Sequence, residues 1–372
     1  MKLGILTYHA AHNYGAALQA LGLQAELSRL GHDPEFIHYY PTASELNNQY
    51  RRKAHSLGGV ARNAAYAFAR PLLNRRFQRF NQFRDEHFNL GNRYRSFEEL
   101  NEHPPEYDAF ICGSDQIWNF TQGASPTYFL RFVPESKPAI AYAPSFGRTF
   151  DPSDAPDDLS SWISRFQFLS AREDSGCKLI EQLTGRQVPQ VLDPAFFLDR
   201  QQWETIARRP EFSGNYIAFY ALEVTPLASH LLKHLSTILK LPIVVLGKGG
   251  MAVFKRGTKI AIDSGPAEFL GYIKNASLVV TNSFHASVFS ILFGTPFLTA
   301  GHSSRNARME SLLGSLGQRD RLITSMDDVQ NISKDLLHEG PSSQTSSMLR
   351  QQLASSRAFL ENSLLTIQSN NF

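Results

Sequence analysis

Short apolar runs alternate with amphipathic segments along most of the chain, and most runs end in a polar or glycine-containing turn. This alternation predicts β-strands and α-helices that build parallel sheets covered on both faces. A helix is predicted over 15–30, where apolar residues recur with helical spacing and Gly31 follows as a stop signal. Strands in this first half are predicted at 3–8, 35–40, 109–112, 139–143, 168–171 and 190–193.

The second half shows the same alternation. Strands are predicted at 216–220, 242–246 and 278–281, and helices at 225–239, 266–275, 286–293 and 348–367. The predicted fold is therefore α/β, with two Rossmann-like parallel-sheet domains facing a cleft that binds a ligand at the carboxyl ends of the strands. We expect an N-terminal domain over 1–202, a C-terminal domain over 203–340, and a helix over 341–372 that could return to the first domain.

A basic helical segment is predicted inside the first domain, over 42–106. Positions 51–95 hold eleven Arg or Lys, two acidic residues and seven interleaved aromatic residues. Two interpretations stay open: a pair of amphipathic helices with a solvated basic face, or a surface for peripheral contact with a membrane or a pyrophosphate-linked acceptor. No nucleic-acid motif accompanies the charge, so nucleic acid is not an expected partner.

Composition adds an expected location. The chain has 372 residues, 42% of them hydrophobic, and a net charge of +3, which excludes a disordered or fibrous protein. Its two cysteines, Cys112 and Cys177, are too few for a disulfide framework and suit a reducing compartment. No apolar run approaches the about 18 residues of a membrane span, and the first residues predict a strand rather than a signal peptide. We expect a cytoplasmic protein, with the inner face of the membrane as an alternative location.

Polar residues follow the first predicted strand at a strand-to-helix junction. Asn13 and Gly15 lie at the start of the helix, where unpaired N–H groups and the helix dipole attract anions. Gly15 would let the backbone approach a ligand closely. A plain turn capped by Asn13 explains the same residues equally well.

A second polar cluster follows the strand at 109–112. Gly113 is succeeded by Ser114, Asp115 and Gln116, which place hydrogen-bonding side chains at the carboxyl end of a strand. Trp118 either offers a flat face on which a sugar could stack or packs in the core. The alternative for the whole cluster is a capped turn.

A third cluster, Asn282, Ser283 and His285, follows the strand at 278–281. We expect His285 to be exposed at the first turn of a helix, where it could bind phosphate or donate a proton.

Two arginines are further candidates. Arg172, beside Glu173, follows the strand at 168–171 and forms either a surface ion pair or a fork for a carboxylate or phosphate. Arg305 belongs to the segment 303–308. No His, Cys or Asp cluster has zinc spacing, so neither a metal nor a cofactor is expected.

Taken together, these motifs resemble the polysaccharide pyruvyl transferase family over residues 1 to about 322. The resemblance implies a fold similar to the two-domain glycosyltransferase-B architecture without nucleotide-sugar chemistry. It also implies transfer of the pyruvyl group of phosphoenolpyruvate onto two sugar hydroxyls as a ketal. The motifs that carry it are Thr7-Tyr8-His9, Asn13-Tyr14-Gly15-Ala16, Gly113-Ser114-Asp115-Gln116-Ile117-Trp118-Asn119, Ser145-Phe146-Gly147, Ala171-Arg172-Glu173, Leu192-Asp193-Pro194 and Asn282-Ser283-Phe284-His285.

The resemblance also suggests site residues. Members of the family bind phosphoenolpyruvate with an arginine and a histidine, which correspond here to Arg172 and His285. Some members have a basic residue two positions before that histidine. This chain has Ser283 there, so another anion contact is expected from Arg305 or Lys248.

From these positions we assign hypothetical roles. His285 is the acid or the phosphate clamp, Arg172 and Arg305 neutralise charge, and Asp115 or Glu173 is the base. The remaining candidates orient the sugar or the phosphate, and they are Asn13, Gly15, Ser114, Gln116, Asn282 and Ser283.

The expected partners are phosphoenolpyruvate and a sugar or lipid-linked oligosaccharide acceptor of a surface polysaccharide. One alternative is a nucleotide-sugar-dependent glycosyltransferase, for which Glu268 is the candidate ribose ligand. A non-catalytic carbohydrate-binding protein is the other alternative.

Overall fold

The chain forms two six-stranded sheets, and every strand pair within them is parallel. The computed structural model describes residues 1–41, 57–121, 124–247, 258–301 and 306–370. The strand order is β3-β2-β1-β4-β5-β6 in the first sheet and β12-β11-β10-β7-β8-β9 in the second. Each sheet therefore has the Rossmann order, in which the third and fourth strands of the unit lie on opposite sides of the first. This confirms the predicted α/β fold.

The elements follow one another as the alternation predicted. The strands of the first sheet are β1 (Lys2–Leu6), β2 (Asp33–Tyr39), β3 (Leu90–Tyr94), β4 (Ala109–Cys112), β5 (Ala139–Ala141) and β6 (Phe168–Leu169). The helices of this half are α1 (Tyr14–Arg29), α2 (Leu57–His87), α3 (Phe97–Glu102), α4 (Leu159–Ser164), α5 (Asp174–Thr184) and α6 (Arg200–Ile206).

The second half has the same plan. Its strands are β7 (Ile217–Tyr220), β8 (Ile243–Leu246), β9 (Lys259–Ala261), β10 (Leu278–Thr281), β11 (Phe297–Ala300) and β12 (Leu322–Ile323). Its helices are α7 (Pro226–Leu239), α8 (Pro266–Lys274), α9 (Phe284–Phe293), α10 (Ala307–Ser315), α11 (Met326–Gln330), α12 (Lys334–His338) and α13 (Ser343–Ser369). The prediction at 190–193 was wrong as a full strand, because only Gln190 forms a bridge there, to Ala171.

One apolar core connects the two halves. Tyr14 of α1 stacks on Phe269 of α8 with ring centroids 4.3 Å apart, and its hydroxyl donates to the Ser264 carbonyl. The same buried cluster includes residues of both sheets. The contact places the N-terminus of α1 against the second half.

The basic segment is held partly inside the protein. Residues 57–87 form one helix rather than the predicted pair, and 42–56 lie outside the described residues. Arg75 and Arg79 both pair with Asp263 of the second half, at 3.2 and 3.1 Å. Buried Arg76 donates to the Ser264 carbonyl at 3.0 Å. These three charges therefore join the two halves.

The C-terminal helix returns to the first half. Arg357 of α13 pairs with Glu26 of α1 at 3.0 Å, and the Leu192 N–H donates to the Ser356 hydroxyl at 2.9 Å. Among the described helices, none combines the length and the hydropathy that crossing a membrane requires.

Helix α1 has no room for a side chain at Gly22. A Cβ there would lie 2.2 Å from the Pro194 carbonyl oxygen, which belongs to the turn over Pro194–Phe197. We therefore expect Gly22→Ala to lower the free energy of unfolding by about 1–3 kcal/mol in urea titrations. Gly314→Ala in α10 is the matched control, since no atom lies within 4 Å of its Cβ; it should stabilise by about 0.5–1 kcal/mol. Stabilisation by both changes would contradict the packing.

Candidate functional site

A cavity of about 360 Å³ lies where the carboxyl ends of the two sheets meet. Its walls follow β1 and β4 of the first sheet and β7 and β10 of the second, which are neighbouring strands in each sheet. In both sheets the strand order reverses between these two strands, and ligands of open α/β sheets bind at such switch points. The cavity therefore joins two switch points.

The first half supplies polar groups to this cavity. Tyr8 and Asn13 reach it from the loop after β1, and the Asn13 side chain also accepts from the Ala16 N–H at 3.3 Å, capping α1. Asp115 and Gln116 reach it from the loop after β4. The cap confirms the predicted turn and leaves Asn13 at the cavity wall.

The second half supplies a histidine and an arginine. Ser283, Phe284 and His285 line the cavity from the start of α9, which Ser283 caps through its side chain. Arg308, in the first turn of α10, also lines it.

Behind the cavity wall, one carboxylate joins an arginine to the histidine. Asp193 Oδ2 accepts from Arg172 Nη1 at 2.7 Å and lies 3.2 Å from His285 Nε2. Its other oxygen accepts from the Ala195 N–H at 3.0 Å. Arg172 and Asp193 come from the first half and His285 from the second, so this Arg172–Asp193–His285 chain crosses between them.

Asp193 is held ionised by its partners. Burial alone would raise its pKa, but the charge and hydrogen bond of His285 and the charge of Arg172 outweigh burial, so the pKa falls below its usual range. A buried carboxylate within hydrogen-bond distance of an imidazole orients the ring. The arrangement is therefore suited to proton transfer at His285.

His285 is more enclosed than predicted. Only 8% of its side chain is exposed, although it lines the cavity. A Cβ at Gly15 would lie 2.0 Å from His285 Nδ1, so the missing side chain makes room for the ring. The expectation of an exposed histidine was wrong, because α1 and Asp193 cover two sides of it.

The two candidate bases lie in different surroundings. Asp115 lines the cavity and accepts from the Gln116 N–H at 2.8 Å. Glu173 is buried outside the cavity wall, where it accepts from the Ser145 hydroxyl at 2.8 Å and the Phe146 N–H at 2.9 Å.

Ser114 and Asn282 hold loops together. The Ser114 hydroxyl donates to the Ala143 carbonyl at 2.6 Å, and its N–H donates to Gln19. The Asn282 side chain accepts from the Leu222 N–H at 2.8 Å. Neither belongs to the described wall of the cavity.

The structure does not bring three further sequence-based candidates into the described cavity wall. Arg305 and Lys248 are outside the described residues. Trp118 is buried and stacks on Phe129 with centroids 4.9 Å apart, so it is a core residue.

Sequence reasoning assigned no role to Asp193 or Arg308. Asp193 stood in a motif that carried the family resemblance, and Arg308 stood three residues after Arg305. Their positions in motif-bearing segments were the available signals.

Comparison with known proteins identifies the family. The model of the family described as polysaccharide pyruvyl transferase matches residues 13–304. The chain belongs to the polysaccharide pyruvyl transferase family. A search of curated proteins found no match.

Solved structures similar to this pyruvyl transferase family member show its fold. A Listeria monocytogenes protein described as a UDP-N-acetylglucosamine 2-epimerase has 10% identity and a TM-score of 0.54, covering 100% of this chain and 96% of its own. The Rickettsia bellii UDP-N-acetylglucosamine 2-epimerase has 11% identity, a TM-score of 0.52 and coverages of 99% and 96%. AviGT4, a glycosyltransferase involved in avilamycin A biosynthesis, has 11% identity, a TM-score of 0.52 and coverages of 99% and 98%. The fold is glycosyltransferase-B-like, as predicted.

Two further observations on this family member concern the candidate ribose ligand Glu268 and metal binding. Glu268 accepts from the Gly265 N–H at 2.9 Å and pairs with Arg208 at 3.2 Å, away from the described cavity wall. Within the described part of the chain, no three His, Cys, Asp or Glu side chains gather in a way that could hold a metal ion.

Asp193→Asn tests the buried carboxylate. Because the folded state lowers the pKa of Asp193, its ionisation stabilises the protein at neutral pH, and this contribution is lost as pH falls below about 4. We expect the variant to lose about 3–5 kcal/mol of unfolding free energy at pH 7 and less in acid, measured by denaturant titration. Asp199→Asn is the control, because Asp199 is an exposed helix cap that Asn replaces well. A deficit that stays constant with pH would contradict the ionised state.

Proposed function

We propose that this protein transfers the pyruvyl group of phosphoenolpyruvate onto two hydroxyls of a sugar, releasing phosphate and forming a cyclic ketal. The acceptor is a sugar of a surface polysaccharide or of its precursor, such as a lipid-linked oligosaccharide. One observation carries the proposal: His285, bonded to Asp193, faces a cavity between two switch points in a chain of this family.

The chemistry begins with proton donation to the enol carbon. Protonated His285 gives its proton to C3 of phosphoenolpyruvate, which makes C2 oxocarbenium-like. A sugar hydroxyl attacks C2 and gives its proton to Asp115. Phosphate then leaves with the electron pair of the C2–O bond and takes the proton from Asp115. The second hydroxyl closes the ring, and its proton returns to His285.

The surroundings of each group support these roles. Asp193 orients the imidazole, since its Oδ2 lies 3.2 Å from His285 Nε2. Asp115 is favoured over Glu173 as base because it lines the cavity, whereas one Glu173 oxygen already accepts two hydrogen bonds. Asn13 and Gln116 are suited to orienting the sugar or the phosphate from the opposite wall.

We also propose that the reaction takes place in the cytoplasm, where phosphoenolpyruvate is made. Peripheral membrane contact through 51–95 stays part of this proposal for residues other than Arg75, Arg76 and Arg79. Those three side chains already contact the second half.

Calorimetry with phosphoenolpyruvate and a panel of nucleotide-sugars tests the donor class. Binding of phosphoenolpyruvate alone supports pyruvyl transfer, whereas binding of a nucleotide-sugar alone favours a glycosyltransferase. The engagement of Glu268 by Gly265 and Arg208 disfavours it as a ribose ligand. Mass spectrometry of acceptor glycans incubated with phosphoenolpyruvate then detects the ketal product.

His285→Ala should lower the rate of ketal formation by about 100- to 10,000-fold, the usual contribution of a general acid. Product formation is measured by mass spectrometry and phosphate release. The control is His230→Ala, since His230 is exposed on α7. Turnover by the His285 variant at the control's rate would refute the role.

A further inference from the structure

The acceptor hydroxyl must lie beside Asp115 if Asp115 is the base that takes its proton. While Asp115 is ionised, it repels the anionic oxygens of the donor, whereas a sugar hydroxyl donates a hydrogen bond to it. This part of the cavity therefore suits the acceptor. Four further side chains line the first-half wall together with Asp115 and Asn13, and they are Tyr8, Gln116, Asn119 and Thr121.

Tyr8 presents a fixed aromatic ring to the cavity. The ring packs edge-on against Tyr128 with centroids 4.8 Å apart, and the Tyr8 hydroxyl donates to the Gln116 carbonyl at 3.4 Å. Burial and the nearby charge of Asp115 both raise the pKa of this hydroxyl, so the phenol stays neutral beside the carboxylate. Because the half-buried ring is already held in place, it loses little conformational freedom when it covers the C–H face of a sugar.

Two amide side chains accompany the ring on the same wall. Gln116 and Asn119 both follow β4, and their amide groups lie 3.5 Å apart. Gly147 leaves space for them, since a Cβ there would lie 2.7 Å from Asn119 Nδ2 and still closer to the Gln116 amide. The Asn119 oxygen accepts from the Thr121 N–H at 3.0 Å, which fixes the orientation of this amide. Amides both donate to and accept from hydroxyls, so the pair matches the hydrogen-bonding groups of a sugar.

The second-half wall adds an exposed apolar side chain. Leu222 follows β7 and is 44% exposed, although its N–H is fixed by the Asn282 side chain at 2.8 Å. Of the large apolar side chains that are exposed in the described part of the chain, Leu222 is the one that lines this cavity. Ligand pockets combine such apolar contacts with a few placed polar groups.

We propose that Tyr8, Gln116 and Asn119 form the acceptor subsite, in which a sugar ring lies against Tyr8 and presents a hydroxyl to Asp115. Leu222 contacts the C–H groups of the sugar from the second-half wall. This inference rests on the proposed function and names the residues that select its acceptor.

Saturation-transfer NMR titrations on the full chain test the subsite. The probes are the methyl glycosides of glucose, galactose, mannose and N-acetylglucosamine, with and without inorganic phosphate, and the wild type should bind at least one of them. Tyr8→Leu and Asn119→Ala should each weaken this binding by about 3- to 10-fold, through a lost aromatic contact and a lost hydrogen bond. Tyr8→Phe keeps the ring and should lose less than Tyr8→Leu. Asn119→Ala also answers the question if Tyr8→Leu does not fold.

The matched control for Asn119→Ala is Asn92→Ala, because Asn92 is exposed on β3 and outside this cavity wall; its glycoside binding should equal wild type. Calorimetry with phosphoenolpyruvate then separates the two substrates. Tyr8→Leu and Asn119→Ala should leave the Kd for phosphoenolpyruvate near wild type. Wild-type glycoside affinity in both variants, or a loss of phosphoenolpyruvate affinity as large as the loss of glycoside affinity, would overturn the assignment.

The two kinds of probe distinguish this inference from the proposed function. If the wild type binds a glycoside but not phosphoenolpyruvate, pyruvyl transfer fails and the glycoside series still decides the role of Tyr8. If it binds phosphoenolpyruvate but no glycoside, the acceptor subsite is overturned and the donor class stands. If it binds neither, both proposals are overturned.

Discussion

A buried carboxylate shared by an arginine and a histidine ties the two halves of this protein together at its cavity. Asp193 carries a charge that burial alone would make costly, and Arg172 and His285 offset that cost by lying within hydrogen-bond distance of one oxygen. The partners come from distant parts of the sequence, so their alignment depends on the packing of both sheets. Removing one partner would leave an uncompensated buried charge, which is costly. The pairing therefore favours one relative position of the two halves.

The strand order of the two sheets explains why the site lies where it does. Each sheet reverses its strand order beside its first strand, so β1 and β4 face β7 and β10 across one cavity. Similar folds occur in a sugar epimerase at 10% sequence identity and in a glycosyltransferase at 11%. Similarity at this level establishes the architecture alone. The side chains on the loops must therefore carry the specificity of this polysaccharide pyruvyl transferase family member.

The sequence was most informative where an apolar run meets polar residues abruptly. Strands β4 and β10 were predicted to the residue, because Ala109–Cys112 is a continuous apolar run, Leu278–Thr281 is apolar up to its last residue, and a polar cluster follows each of them. Edge strands such as β3 and β9 were missed, since Leu90–Tyr94 contains Asn92 and Arg93 and Lys259–Ala261 has only three residues, the first of them charged. The enclosure of His285 was beyond prediction, because no spacing shows that Gly15 of the other half receives its ring.

Fixed helix dipoles contribute to the electrostatics of the cavity. Helices α1 and α9 both begin at the cavity wall, capped by Asn13 and Ser283, so their N-terminal partial charges face the same space. Behind these helices, the charge of Arg172 at 2.7 Å helps to keep Asp193 ionised, and Asp193 in turn orients His285.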